Sequence, residues 1–271
     1  MGPAPSRLPD GPRAPTRLLL LAGTGEARLL AVRLQAVPGV RTQISLAGRN
    51  PGGSPPPGRV RAGGFGGPAG LADHLRRTGV NGVVDATHPF AARITAHAAT
   101  ACAETGTPLL VLRRPAWTEQ PGDRWQRVSD LAEAAAAATA LPPGIILLTT
   151  GRTGLPLFAA DPRHRYLARV LDPAQAPPPP GIQLLPWTGP ADAEAEVALV
   201  RRFGVGALVT KDSGGPATQA KLTAARQLGL PVIMVNRPPL PAAVTVAPTV
   251  DQALAWVRSL ASARPWPRPP R

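Results

Sequence analysis

Ten short apolar runs alternate with stretches of helical period along this chain, and nearly every run stops at a cluster of glycines or small polar residues. A strand buried on both faces reads as such an unbroken apolar run. Helices placed between successive runs require crossover connections, and so parallel pairing. The runs predict strands at 17–22, 42–47, 80–86, 108–112 and 125–128 in the first half, and at 145–149, 166–171, 182–185, 207–210 and 232–235 in the second. Helices are expected at 26–36, 68–78, 91–105 and 130–140, then at 155–160, 191–203, 218–228 and 250–260. A Pro142-Pro143-Gly144 break resets the pattern, and the prolines at 177–180 read as a stiff surface connection.

The expected fold class is therefore α/β, with two Rossmann-like parallel-sheet domains and an interdomain cleft. Their expected extents are 16–141 and 142–263, between disordered ends at 1–15 and 264–271. One Tyr and four Phe leave the core to Leu, Val, Ala and Ile. The single cysteine, Cys102, excludes an internal disulfide and offers no metal cluster. In its Ala-rich stretch it reads as a buried structural thiol, consistent with a reducing cytoplasm. No apolar run reaches the ~20 residues of a membrane span. The net charge of +14 raises nucleic acid as a partner. The cations are dispersed, stacking aromatics are few and no nucleic-acid motif is present, so an anionic small molecule accounts better for the sign. Of the thirty cations only Lys211 and Lys221 are lysine.

Ligands of doubly wound sheets bind beyond the carboxyl ends of the strands, and the polar clusters all lie there. Thr210-Lys211-Asp212-Ser213-Gly214-Gly215 stands between an apolar strand and a helix. Unpaired helical N–H groups and a compact ammonium make such a corner fit for an anion. Gly23-Thr24-Gly25-Glu26 opens the first helix and suits a phosphate, although Arg28 stands where a dinucleotide fingerprint has its third glycine. Gly48-Arg49 ends the second strand, where an arginine suits a ribose 2′-phosphate and favours NADP over NAD. The alternative is one more surface arginine in an arginine-rich chain. Gly63-Gly64-Phe65-Gly66-Gly67 offers either a flat backbone surface for a ligand or a flexible loop. Asp85, Thr87 and His88 share a strand end that Pro89 stiffens, with His88 a proton donor, an orienting group or a structural residue. Gly151-Arg152 repeats the strand–turn theme with a guanidinium fit for a carboxylate, and Trp187-Thr188-Gly189-Pro190 forms another turn. Nucleophile-elbow, Walker and HExxH motifs are missing. Phosphate-friendly turns without a nucleophile point to redox chemistry on an anionic substrate.

Taken in order, Leu20 to Ala27, Ala47-Gly48-Arg49, Gly63 to Gly67, Asp85-Ala86-Thr87-His88-Pro89-Phe90-Ala91, Arg114-Pro115-Ala116-Trp117, Gly151-Arg152 and Thr210 to Gly215 resemble the precorrin-6A reductase family of cobalamin biosynthesis. The resemblance implies NADPH-dependent reduction of one ring double bond of a cobalt-free macrocycle, giving precorrin-6B. A related branch acts on the cobalt-bearing substrate. NADPH is then expected on Gly23, Thr24, Gly25, Glu26, Gly48, Arg49, Gly64, Phe65 and Gly66. The tetrapyrrole carboxylates are expected on Thr87, Gly151, Arg152, Lys211, Asp212, Ser213, Gly214 and Gly215, with His88, Asp85 and Lys211 as the catalytic candidates. This chain departs from the family in reading Ala-Gly-Thr at its first turn, and Trp-Thr-Gly-Pro-Ala at 187–191 where Arg-Gly-Pro-Phe is common. A non-catalytic tetrapyrrole- or nucleotide-binding protein is the alternative from another class. The proton donor and the oligomeric state stay open.

Overall fold

The structure is a computed structural model that describes residues 14–47, 57–172, 176–187, 189 and 191–262. The elements run β1 (Thr16–Ala22), α1 (Gly25–Leu34), β2 (Val40–Leu46), β3 (Arg59–Ala62), α2 (Gly67–Thr78), β4 (Gly82–Ala86), α3 (Ala92–Thr105) and β5 (Leu109–Leu112). They continue with β6 (Trp125–Val128), α4 (Leu131–Thr139), β7 (Ile145–Thr149), α5 (Leu155–Phe158), β8 (Arg165–Val170), β9 (Ile182–Pro186) and α6 (Ala193–Phe203). The last elements are β10 (Val205–Lys211), α7 (Ala220–Gln227), β11 (Val232–Val235), β12 (Thr245–Ala247) and α8 (Val250–Ser262).

Two six-stranded sheets result, ordered β12-β5-β4-β1-β2-β3 and β6-β11-β10-β7-β8-β9. All pairings are parallel. The α/β class with two Rossmann-like sheets is thus as the sequence led us to expect. Each central strand is buried on both faces. Leu18 and Leu20 of β1 enter one apolar cluster with α1 and α8, while Leu19 and Leu21 enter another with α2 and α3. Ile146 and Leu148 of β7 likewise face one cluster, and Leu147 faces the other.

The ten expected strands are present, and two more were missed. β3 and β12 are short edge strands, and edges need no continuous apolar run. The division of the chain also differs from the expected boundary after residue 141. One unit takes the chain up to Thr87, Arg93–Arg113 and the chain from Leu240. The other takes His88–Ala92 and Arg114–Pro239. β6, expected in the first half, pairs with β11 in the second sheet, and β12 near the chain's end pairs with β5 in the first. The α8 that follows β12 packs so closely on β4 that a Cβ at Gly82 would lie 2.4 Å from a Leu260 methyl. The expected terminal extensions fall outside the described residues, apart from residues 14 and 15.

Candidate active site

In the first unit, Thr24 fixes the turn after β1. Its hydroxyl accepts the N–H of Ala27 (3.1 Å) and donates to the Ala86 carbonyl at the end of β4 (2.9 Å). That is an N-cap for α1 and a tie between two strand ends. Gly23 and Gly25 are exposed, and a Cβ on Gly25 would meet nothing within 4 Å. The backbone here is open to an incoming group. Gly48 and Arg49 lie outside the described residues. The Gly63–Gly67 segment is held from one side by Arg61, whose guanidinium donates to Ser45 Oγ and to the carbonyls of Gly63 and Gly64, each at 3.0 Å. The same guanidinium lies 3.9 Å from the Phe65 ring centroid. Gly66 caps α2 at φ +80, and Gly64 and Gly66 face open space. The segment is a built surface, not a loose loop.

Asp85 is 1% exposed, and its carboxylate is fully engaged. It accepts from Thr87 N (3.0 Å), Thr87 Oγ1 (2.7 Å) and Thr95 Oγ1 (2.6 Å). Its function here is to hold the end of β4, with Thr87 as the residue it fixes. Thr95 was missed, since a threonine inside a helix carries no sequence signal. Burial, helped by the charge of Asp85, pushes the Cys102 thiol up to about 12. That agrees with its reading as an inert structural thiol.

In the second unit, the Lys211–Gly215 corner ends β10 and is clamped by residues far away in sequence. Arg114 Nε donates to the carbonyls of Ser213 (2.7 Å) and Gly214 (3.0 Å), and the Trp117 indole donates to Gly215 O (2.9 Å). Arg237 ties Asp212 O (2.7 Å) to the carbonyls of Arg114 (2.7 Å) and Pro115 (2.9 Å). No cis peptide occurs among the described residues. A trans peptide points its N–H opposite its carbonyl. The amides of Gly214 and Gly215 therefore face away from the Arg114 guanidinium that holds the carbonyls before them.

Asp212 is 3% exposed and accepts from Trp117 N (3.1 Å) and Arg127 Nη1 (3.2 Å), with Arg237 also within ion-pair range. A carboxylate so engaged supports the corner from behind, and its charge would repel a ligand carboxylate. Lys211 is half-buried, with its ammonium 5.4 Å from the Phe90 ring centroid and its pKa lowered by burial.

His88 belongs to this same cluster. Its Nδ1 accepts the Phe90 N–H (3.2 Å), which leaves the proton of the neutral ring on Nε2, 3.1 Å from Ser213 Oγ. The Ser213 hydroxyl in turn donates to Lys211 O (3.4 Å). Burial, and then the charges of Arg114, Lys211, Arg237 and Lys221, lower the His88 pKa to about 4. At neutral pH the ring is an uncharged hydrogen-bond donor. The sequence alone offered an imidazole titrating near ~6.5, and burial, reinforced by the surrounding cations, removes that acid.

Arg152 has its guanidinium on the backbone of the loop after β8. It donates to Asp172 O from Nε (3.2 Å) and Nη2 (3.0 Å), and to Ala176 O from Nη1 (2.9 Å). Gly151, at φ +80, makes the turn that sets this geometry. Arg114, Trp117, Arg127 and Arg237 shape the corner, and none was among the expected site residues. Arg237 follows the end of β11, so the strand-end rule applied to Asn236-Arg237-Pro238 would have found it.

Comparison with known proteins agrees over nearly the whole folded chain. Residues 17–258 match the family described as precorrin-6x reductase CbiJ/CobK. The precorrin-6A reductase of Rhodococcus erythropolis is 49% identical over 90% of this chain and 98% of its own. The cobalt-precorrin-6A reductase of Priestia megaterium is 34% identical over 82% and 90%. A solved structure, CobK precorrin-6A reductase, superposes with a TM-score of 0.82 at 43% identity, covering 90% of this chain and 97% of that one. An identity this high over almost the full length, with the same fold, leaves one conclusion: the chain belongs to the CbiJ/CobK precorrin-6x reductase family.

Proposed function

We propose that the protein is a precorrin-6A reductase that reduces one double bond of the macrocycle, with NADPH, to precorrin-6B. The Lys211–Gly215 corner carries this reading. A carboxylate-fringed macrocycle needs fixed cationic and amide donors, and Lys211, Gly214 and Gly215 supply an ammonium and two amides within one strand-end turn. The clamp of Arg114, Trp117 and Arg237 holds it in shape before any ligand arrives.

For the cofactor, the open backbone at Gly23 and Gly25 fits a pyrophosphate at the start of α1, and the exposed faces of Gly64 and Gly66 fit a flat group. Arg49 would take the 2′-phosphate, and the bound NADPH supplies the hydride. Lys211 is the proton source in this reading, because burial eases proton loss from its ammonium and His88 is neutral. His88 instead orients Ser213 at the corner. Identity to the cobalt-free reductase exceeds that to the cobalt-bearing one, which favours the metal-free substrate.

The test is an anaerobic assay of NADPH oxidation with each form of the macrocycle. One NADPH consumed per precorrin-6A, and little with the cobalt form, is expected. Tight macrocycle binding without NADPH consumption would favour the non-catalytic alternative.

A further inference from the structure

Lys221 is one of only two lysines in a chain that writes its other cations as arginine. It lies on the first turn of α7, is 7% exposed, and takes no part in the chemistry above. Its ammonium makes two contacts. Nζ donates to Thr218 O at 2.8 Å, within the short 3-10 turn Pro216–Thr218 that continues directly from Gly215. It also lies 4.9 Å from the ring centroid of Trp117, the residue whose indole N–H holds Gly215 O and whose backbone N–H holds Asp212. One compact cation therefore bridges the turn after the corner and the aromatic wall beside it. An arginine would bring a wider, planar fork to the same place.

We propose that Lys221 is the positioning residue of the anion-binding corner. It seats Trp117 and the 216–218 turn so that the Gly214 and Gly215 amides hold the geometry that receives a substrate carboxylate. The inference rests on the functional reading above for its ligand, but not for its structural readout.

The charged surroundings make this arrangement sensitive to pH. Burial lowers the Lys221 pKa to about 7, with Arg169 of β8 and Arg114 adding to the effect and Glu196 of α6 opposing it. Arg169 and Glu196 are themselves paired at 2.7 and 2.8 Å. As pH rises through about 7 the amine becomes neutral and loses its attraction for the indole face. The corner loosens accordingly. Protein stability should follow the opposite trend. The folded pKa lies below the unfolded one, so the contribution of Lys221 is full above ~10.4 and is lost as pH falls towards 7.

That opposition separates positioning from mere support. Lys221→Met keeps the length and removes the charge, so its melting temperature at pH 6 should equal or exceed that of the unaltered protein. Its macrocycle affinity, followed by absorbance titration, should nevertheless drop about tenfold. In the unaltered protein the ¹H–¹⁵N signal of the Trp117 indole, assigned with Trp117→Phe, should titrate with a midpoint near 7, and in Lys221→Met it should not. A Trp117 signal that titrates identically in both proteins, or is flat in both, overturns the proposal whatever the substrate proves to be. Equal macrocycle affinity in both also overturns it. If the unaltered protein binds no macrocycle while the Trp117 signal behaves as stated, the functional reading fails and the positioning role stands.

Discussion

Gly214→Ala is the sharpest perturbation of the corner, because the structure fixes its magnitude. Gly214 has φ +66, where an L-residue costs about 1–2 kcal/mol. Its new Cβ would stand 2.1 Å from Pro115 O, against the 3.4 Å at which ordinary contact begins. Pro115 O is backbone, and it cannot retreat without opening its bond to Arg237 and disturbing the Arg114 bonds to the corner. Each such charge-assisted bond contributes about 1.5–3 kcal/mol, so a total loss of about 3–5 kcal/mol is expected. For a unit of this size that lowers the melting temperature by roughly 10–20 °C. Calorimetry on the purified full chain measures it, with macrocycle titration below the transition to show that carboxylate binding is lost as well. Gly25→Ala is the control: its Cβ meets nothing within 4 Å, so melting should hardly change while the KM for NADPH rises. A Gly214→Ala protein that melts and binds like the original would refute the clamp.

Three further outcomes follow from the site. Lys211→Ala should weaken macrocycle binding ~10–100-fold, the loss of one charge-assisted contact, while leaving NADPH affinity nearly intact by fluorescence titration; the reverse pattern would exchange the roles of the two units. Arg49→Ala should raise the KM for NADPH at least several-fold with NADH kinetics hardly changed, and an equal loss with both cofactors would remove the 2′-phosphate assignment. His88 has a folded pKa of about 4, below its unfolded value, so its stabilising contribution is full above ~6.5 and is lost as pH falls towards 4. Denaturant titrations of His88→Asn should therefore lose less stability than the original across that window, and parallel pH curves would show that the ring is not neutral in the fold.

The sequence by itself determined the layers and the places where chemistry could occur. Apolar runs such as Leu18–Leu21 and Ile145–Leu148 must be buried on both faces, and that local requirement sets parallel strands between helices. Strand ends closed by glycine then mark the candidate corners, as at Gly23-Thr24-Gly25 and Gly214-Gly215, because such turns let backbone N–H groups approach an anion.

Only the tertiary structure decided how the chain is divided and which charges are free. β6 and β12 join sheets that their sequence positions do not indicate, since a short edge strand pairs with whichever exposed edge accepts its register. An arginine at a strand end reads the same whether it holds a ligand or its own backbone. Arg152 closes the loop after β8, while Arg114 and Arg237 reach across 99 and 25 residues to hold the corner. In sequence, Asp85 reads as a catalytic candidate, Asp212 as a substrate contact and His88 as a catalytic candidate. Burial beside particular threonines and guanidiniums, which arises only when distant segments pack together, turned two of them into anchors and the third into a neutral donor.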